Sequence, residues 1–412
     1  MNEPQSLAAD ETPNMDTATV ERVSLAFLAW TFLKVGSTAF GGFMALISVV
    51  QNIVVERRKL LSAEEMLDGV SLATLLPGPM AVNVVAYVGY KLRGGIGALV
   101  CATAVILPSF LLLLGLTIAY LKWGAMPSVE RAFSGFIPAV AAIIVNAAWG
   151  MRKKAIRGIP EAMIAAVAAA LLLGIGGFYL TVGVVGGAAL LGRVLFYPKD
   201  AQEPHPPLLI DGRTQITWAI SLSLLGLALI LFVVPTPTLD AHPLSHLSTT
   251  FSGMSLLLFG GGFVFIPLIQ EVVVDGLHWV SNTEFTSAIA LGQITPGPIL
   301  ISATFIGYKV YGVLGALVAT IAIFLPPALL MVTASSALEH IKHHSGIQAA
   351  LRGIRAAVIG MIAVAAVVIL QTAQWHWLSP VIFIAALFGL LKLKLDVVWI
   401  IPLAGLTGLI LY

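Results

Sequence analysis

The chain has 412 residues, 58% of them hydrophobic and only 10% charged, with a formal net charge of +2 and a mean hydropathy of +0.98. Soluble domains carry roughly 25% charged residues, so this chain lacks the polar coat that water requires and reads as a polytopic membrane protein. Its long uninterrupted apolar runs exclude a transmembrane barrel, and at about 20 residues per span the length allows about 11–13 helical membrane elements.

Residues 1–22 form an acidic N-terminal tail (Glu3, Asp10, Glu11, Asp16). The first apolar run, Val23 to Val55, exceeds the 7–15 apolar residues of a signal peptide and is expected to stay attached. It is too long for one span and short for two, so a bent or re-entrant element is expected around Gly41 and Gly42. Within it Lys34 lies deep in apolar sequence, either as an anion-attracting charge or as one that snorkels to the interface. Next comes "LLPGP". Pro77 and Pro79 remove two backbone donors, at about 3 kcal/mol per proline, and Gly78 loosens the chain between them, so a continuous helix is not possible there. Pro79 suits the first position of a new half-helix, whose leading amides at Met80 and Ala81 would carry the positive end of its dipole. The single cysteine, Cys101, supports no disulfide framework.

The same words then return about 219 residues later, in the same order. "FGGFMALISVV" reappears as "GGGFVFIPLIQ", with Gly261 and Gly262 in the glycine block. "LLPGPMAVNVVAYVGYKLRGGIGALV" reappears as "ITPGPILISATFIGYKVYGVLGALV", with Pro296, Gly297 and Pro298 followed by the amides of Ile299 and Leu300. Pro108 matches Pro326, and Gly135 matches Gly353. The chain therefore divides into a first repeat at 23–196, a polar proline-rich connector at 197–215, a linking helix at 216–234 and a second repeat at 247–412.

An odd number of spans between the repeats inverts the second one, and loop charges agree. Glu56, Arg57, Arg58 and Lys59, with Arg152, Lys153, Lys154 and Arg157, face Glu271, Asp275 and Glu284 or uncharged sequence in the equivalent loops. The positive-inside rule puts the basic loops and the N-terminus in the cytoplasm, and the C-terminus outside; Lys122 and Arg131 are exceptions. The fold class is thus all-α, with two inverted-topology repeats and broken or re-entrant helices, an architecture that places substrate near the midplane.

Breaks in hydrocarbon are tolerated only against protein or a wetted cavity. The competing reading of the prolines is a pair of packing kinks, but two equivalent breaks in oppositely oriented repeats can converge two positive helix ends. Ser37, Thr38, Thr74 and Asn83 in the first half, and Gln293, Thr295, Ser302 and Thr304 in the second, would complete an anion site; the alternative for each is a bond to its own helix. Lys91, Lys309, Arg352 and Arg355 read by default as helix-end anchors.

Few acidic residues lie within the apolar spans, which disfavours a carboxylate-relay pump. His242 with His246, and His340 with His343 and His344, sit in expected loops without further ligands, so no metal site is assigned. No cofactor motif, nucleophile with a base partner or nucleic-acid-binding basic block is present, so neither an enzyme nor a nucleic-acid partner is expected. The bilayer and a small inorganic oxyanion are the expected partners, and homo-oligomerisation stays open.

The "LLPGP" and "TPGP" breaks, the "GGF" and "GGGFVFIP" blocks and the "GY" to "GAL" tails together resemble the chromate ion transporter family in its long two-repeat form, across nearly the whole chain. The resemblance implies a bacterial inner-membrane protein that exports chromate from the cytoplasm, with sulfate as the chemically similar competitor. One departure is Phe43 after Gly42, where the family commonly has proline. A carrier for sulfate or another oxyanion, an anion channel, and a membrane-bound enzyme or scaffold are the alternative readings.

Overall fold

The structure, a computed structural model, describes residues 23–39, 42–124, 126–175, 178–198, 226, 242–258, 265–335, 345–372 and 377–411. Every regular element among them is helical. The first repeat supplies α1 (Leu25–Thr38), α2 (Gly42–Gln51) running into a π-helical turn (Asn52–Arg57), α3 (Ala63–Leu75), α4 (Met80–Trp123), α5 (Pro127–Ala155), α6 (Ile159–Gly174) and α7 (Phe178–Phe196). The second supplies α8 (Pro243–Leu256), α9 (Phe265–Gln270) with its own π-helical turn (Glu271–Gly276), α10 (Asn282–Ile294), a 3-10 turn (Ile299–Ser302) leading into α11 (Ala303–Ser335), α12 (Ser345–Thr372), α13 (Leu378–Leu391) and α14 (Val397–Leu411). The two series correspond element for element. The tail 1–22, the linking helix 216–234 apart from Gly226, most of the connector, and His340, His343 and His344 lie outside the described residues. His246 lies within α8 rather than in a loop, because His242 caps that helix through its ring and the Leu244 amide.

Local sequence fixes the helix starts identically in both halves. At α3 the Ser62 hydroxyl accepts from the Glu65 amide at 3.1 Å, and the Glu65 carboxylate accepts from the Ser62 amide at 2.9 Å. Ser281 and Glu284 repeat this capping box at α10, at 3.2 and 3.0 Å.

The apparent 44-residue helix α4 is two arms. Arg93 (φ −143°) and Gly94 (φ 64°) leave helical geometry, and the backbones of Gly89 and Gly97 touch so closely that a Cβ on either would collide with the other's carbonyl. In a straight helix these residues would stand about 12 Å apart. The chain reverses at 93–94, and Gly94 supplies the positive φ that the reversal needs. Tyr311 and Gly312 (φ 57°) do the same in α11, with Gly307 packed on Gly315.

The arm before each reversal folds back on the helix before each Pro-Gly-Pro break. Gly69 of α3 lies against the ring of Tyr87, and Glu284 of α10 pairs with Lys309 at 2.7 Å. Neither contact could form if the chain ran straight through the break. Each break is therefore the tip of a re-entrant hairpin. The 13 residues of α3 reach about 20 Å at 1.5 Å per residue, short of a hydrocarbon core about 30 Å thick. The segment from α1 through the first π-helical turn re-enters likewise, since the Arg58 guanidinium returns to within 5.2 Å of the Phe27 ring.

The repeats run in opposite directions. Gly78, before the first arm of α4, packs on Pro327 late in α11, whereas Gly297, before α11, packs on Ser109 late in α4. Two equivalent elements that meet head to tail are related by an axis across their length, which inverts one repeat relative to the other. The outer helices are exchanged as well. Gly135 of α5 lies against Ala404 and Gly408 of α14, and its equivalent Gly353 of α12 lies against Ala188 and Gly192 of α7. Lipid tails give helices no hydrophobic reason to associate, so close backbone approach at small residues carries the packing. One apolar core cluster runs through both repeats. Among the described residues four helical stretches are long and apolar enough to cross a membrane: Met80–Trp123, Ser128–Lys153, Ile299–Ser335 and Ser345–Gln371.

Candidate functional site: the paired hairpin tips

At the first tip α3 ends at Leu75, Gly78 takes φ 103°, and the first arm of α4 starts at Met80. At the second, α10 ends at Ile294, Gly297 takes φ 110°, and the 3-10 turn starts at Ile299. Each tip is bonded to the other repeat. The Gly78 amide donates to the Leu258 carbonyl at 2.7 Å, and the Gly297 amide donates to the Ala39 carbonyl at 3.2 Å. Ala39 ends α1 and Leu258 follows α8, each just before a glycine block. Each break is thus held by the chain just before the glycine block of the opposite repeat. The tips are closed over by protein, with Pro77, Gly78, Pro79, Pro296 and Pro298 buried, while Thr74, Met80, Gln293 and Gly297 keep partial exposure.

New helix starts at the tips leave donors outside the helical ladder. Asn83 is the first residue of its arm to donate back, to the Pro79 carbonyl at 3.0 Å, so the amides of Met80 and Ala81 lie ahead of it. Ile301 plays that part in the second half, donating to Pro298 at 3.0 Å, with Ile299 and Leu300 ahead of it. Asn83, wholly buried, donates its side-chain amide to the Pro77 carbonyl at 3.1 Å. That bond fixes the amide's orientation, because the opposite flip would set two acceptors together, and it leaves Oδ1 without a partner among the described residues. The Gln293 Nε2 is likewise buried without a partner: an unspent donor at the second tip.

The remaining sequence candidates divide clearly. Thr74, Thr295 and Ser302 are at the tips, but their hydroxyls donate to carbonyls of their own turns, Ser71 at 2.7 Å, Gly292 at 2.8 Å and Ile299 at 2.7 Å. Ser37 and Thr38 are exposed on α1 and donate to Leu33 and Lys34 carbonyls at 2.8 and 2.9 Å. Lys34 is exposed, with its ammonium 4.9 Å from the Trp30 ring centroid. Ser37 and Thr38 directly precede Ala39, whose carbonyl accepts from Gly297 at the second tip, and their hydroxyls are spent within α1. Gly42 opens α2; Gly41, Gly261 and Gly262 lie outside the described residues.

Two side chains at the tips carried no signal that singled them out. Ser109, wholly buried, donates its hydroxyl to the Pro296 carbonyl and so holds the second break from the first repeat. Arg355, which reads in sequence as a helix-end anchor, donates to the Thr74 carbonyl at 3.2 Å, beside the first break. Its neighbour Arg352 pairs with Glu161 at 2.5 Å, an acid wholly buried at the start of α6. A cavity of about 370 Å³ between the outer arms of α4 and α11 is lined by residues such as Leu99, Phe110, Leu317 and Phe324. Its walls are mostly apolar and offer little grip on an anion.

The sequence profile of the chromate transporter family matches residues 26–193 and again 245–409. The chain belongs to the chromate transporter family. The profile's two matches fall on the two structural repeats. A chromate transport protein of Cupriavidus metallidurans is 31% identical over 415 residues, covering 100% of this chain and 99% of the relative. A probable chromate transport protein of Synechococcus elongatus is 32% identical, covering 94% of this chain and 96% of the relative. An uncharacterized transporter of Methanocaldococcus jannaschii is 30% identical, covering 92% of each. No solved structure matches the chain. Members of this family are transport proteins of the membrane, and the helices described here are a multi-pass assembly of that kind.

Proposed function

We propose that this protein is a secondary carrier that exports chromate from the cytoplasm across a bacterial inner membrane, binding the anion between the two Pro-Gly-Pro tips. The observation that carries the reading is the reciprocal joining of two oppositely inserted breaks, Gly78 to Leu258 and Gly297 to Ala39, in a chain of this family. The donors assigned to the substrate are the amides of Met80, Ala81, Ile299 and Leu300, with the Gln293 side-chain amide. Lys34, Ser37 and Thr38 stay outside this assignment. Charge-assisted hydrogen bonds contribute about 1.5–3 kcal/mol each, and a helix end adds up to about 2 kcal/mol, so several together offset the desolvation of a small dianion in a wet site.

Sidedness is proposed from charge. The hairpins of the first repeat carry Arg57, Arg58, Lys59, Lys91 and Arg93 at their bases, those of the second Asp275, Glu284 and Lys309. The positive-inside rule places the first set, and the N-terminus, in the cytoplasm. Outward movement of a dianion then gains roughly 5 kcal/mol at about 100 mV, from about 2.3 kcal/mol per charge, so the membrane potential alone favours export. Sulfate shares the shape and charge of chromate and is expected to compete.

The test is chromate uptake into everted vesicles, with purified protein in liposomes as the control for other factors. Saturable uptake, lost when Pro77 and Pro296 are both replaced by alanine in a correctly inserted protein, supports the reading. Non-saturating flux would point to a channel, and absence of flux from wild-type liposomes would refute transport by this chain.

A further inference from the structure

The two tips are alike in backbone and unlike in charge. Arg355 stands at the first tip, and its equivalent by the repeat, two residues after Gly135 as Arg355 is after Gly353, is Ile137. Arg355 is half-buried, about 15 Å along α12 from its start at 1.5 Å per residue. A cation partly withdrawn from water within an apolar helix is retained when it has a task or a counter-ion. Among the described residues Arg355 has no ion pair. Its hydrogen-bond partner among the described residues is the Thr74 carbonyl at 3.2 Å. The acid in this region, Glu161, is already engaged by Arg352 one turn away. A guanidinium has five donors, so one carbonyl leaves most of them unspent.

We propose that Arg355 is the charge-selecting residue of the binding site, the fixed cation that makes the first tip prefer a tetrahedral dianion over a tetrahedral monoanion. This rests on the tips being the substrate site. The competing role is structural: the guanidinium caps the C-terminus of α3, whose last carbonyls lack helical partners and whose dipole end is negative. A cap and a charge selector differ in what they do to anion preference, since removal of a cap lowers the amount of working protein without changing which anion it prefers.

The experiment compares inhibition of chromate uptake in everted vesicles by sulfate or molybdate, both dianions, and by perchlorate, a monoanion of the same shape. Wild-type protein and the R355K variant should be inhibited more strongly by the dianions. R355Q should raise the KM for chromate about ten- to a hundredfold, as expected for loss of a charge-assisted interaction, and reverse the preference toward perchlorate. R355Q with reduced rate but an unchanged KM and an unchanged order of inhibitors would overturn the proposal in favour of the cap. If R355Q fails to fold, phenylglyoxal modification of the wild-type protein, read by mass spectrometry, decides the matter. Molybdate should slow modification of Arg355 and perchlorate should not, with Arg352 as the internal reference; equal modification with and without molybdate would overturn the proposal. Wild-type vesicles that take up no chromate at all would instead strike the transport reading itself.

Discussion

The amide of Gly78 donates to the carbonyl of Leu258 at 2.7 Å, joining the first Pro-Gly-Pro break to the second repeat, and the equivalent amide of Gly297 returns the bond to Ala39 at 3.2 Å. Each break thus takes one of its backbone bonds from the other half of the chain.

Gly78→Ala and Gly297→Ala should both reduce transport, with Gly78→Ala the more severe. Both sites have φ beyond +100°, where a side chain adds about 1–2 kcal/mol of strain. The added methyl would strike the rigid ring of Pro327 at Gly78, but at Gly297 the Ser109 hydroxyl, which can rotate away at the cost of its bond to Pro296. Thermal unfolding in detergent and chromate uptake measure the two effects; equal tolerance of both substitutions would contradict this packing.

The buried pair gives an asymmetric expectation. Glu161 is wholly buried, whereas the Arg352 side chain is 39% exposed. Arg352→Met removes the ion pair of a carboxylate out of contact with water and should destabilise more than Glu161→Gln, which leaves a cation that reaches water. The double variant should recover much of the loss. Unfolding temperatures of the three variants check the order.

Gln293→Glu should abolish chromate uptake and Gln293→Leu should weaken it, with KM rising about tenfold for loss of one donor at about 1.4 kcal/mol. The first substitution sets a carboxylate where the second tip now offers an unpartnered N–H. Uptake kinetics at fixed expression decide this, and an unchanged KM in both variants would remove Gln293 from the site.

Asn83→Ala should lower stability by about 1–3 kcal/mol, because it leaves the buried Pro77 carbonyl without its donor. Ser109→Ala should do the same at Pro296. Denaturation midpoints report both.

Much of this arrangement is legible in sequence because the repeat is. The matched "PGP" words place both breaks, and proline and glycine chemistry requires the helices to stop there. The reversals at Arg93–Gly94 and Tyr311–Gly312 are not legible, since the apolar run continues through them and hydropathy cannot tell one long helix from two arms folded together. Depth is also invisible. Arg355 and Glu161 both sit near the starts of apolar runs, where a charge ordinarily reaches water, and only tertiary packing covers Glu161 and sets Arg355 on Thr74. The acceptors at Ala39 and Leu258 are backbone carbonyls, which leave no mark in a sequence. The hydroxyls of Ser37 and Thr38 illustrate the opposite case: polar residues beside a break whose bonds close on their own helix.

Cysteine accessibility from the two sides of oriented vesicles tests the paired re-entrant hairpins most directly, using E64C, K91C, T283C and K309C in a C101A background. All four positions are at hairpin bases. Positions 64 and 91 should be labelled from one side only, and 283 and 309 from the other side only. Labelling of 64 and 91 from opposite sides would mean that the chain crosses at Pro77–Pro79, and labelling of all four from one side would mean that the repeats are not inverted; either result contradicts the account.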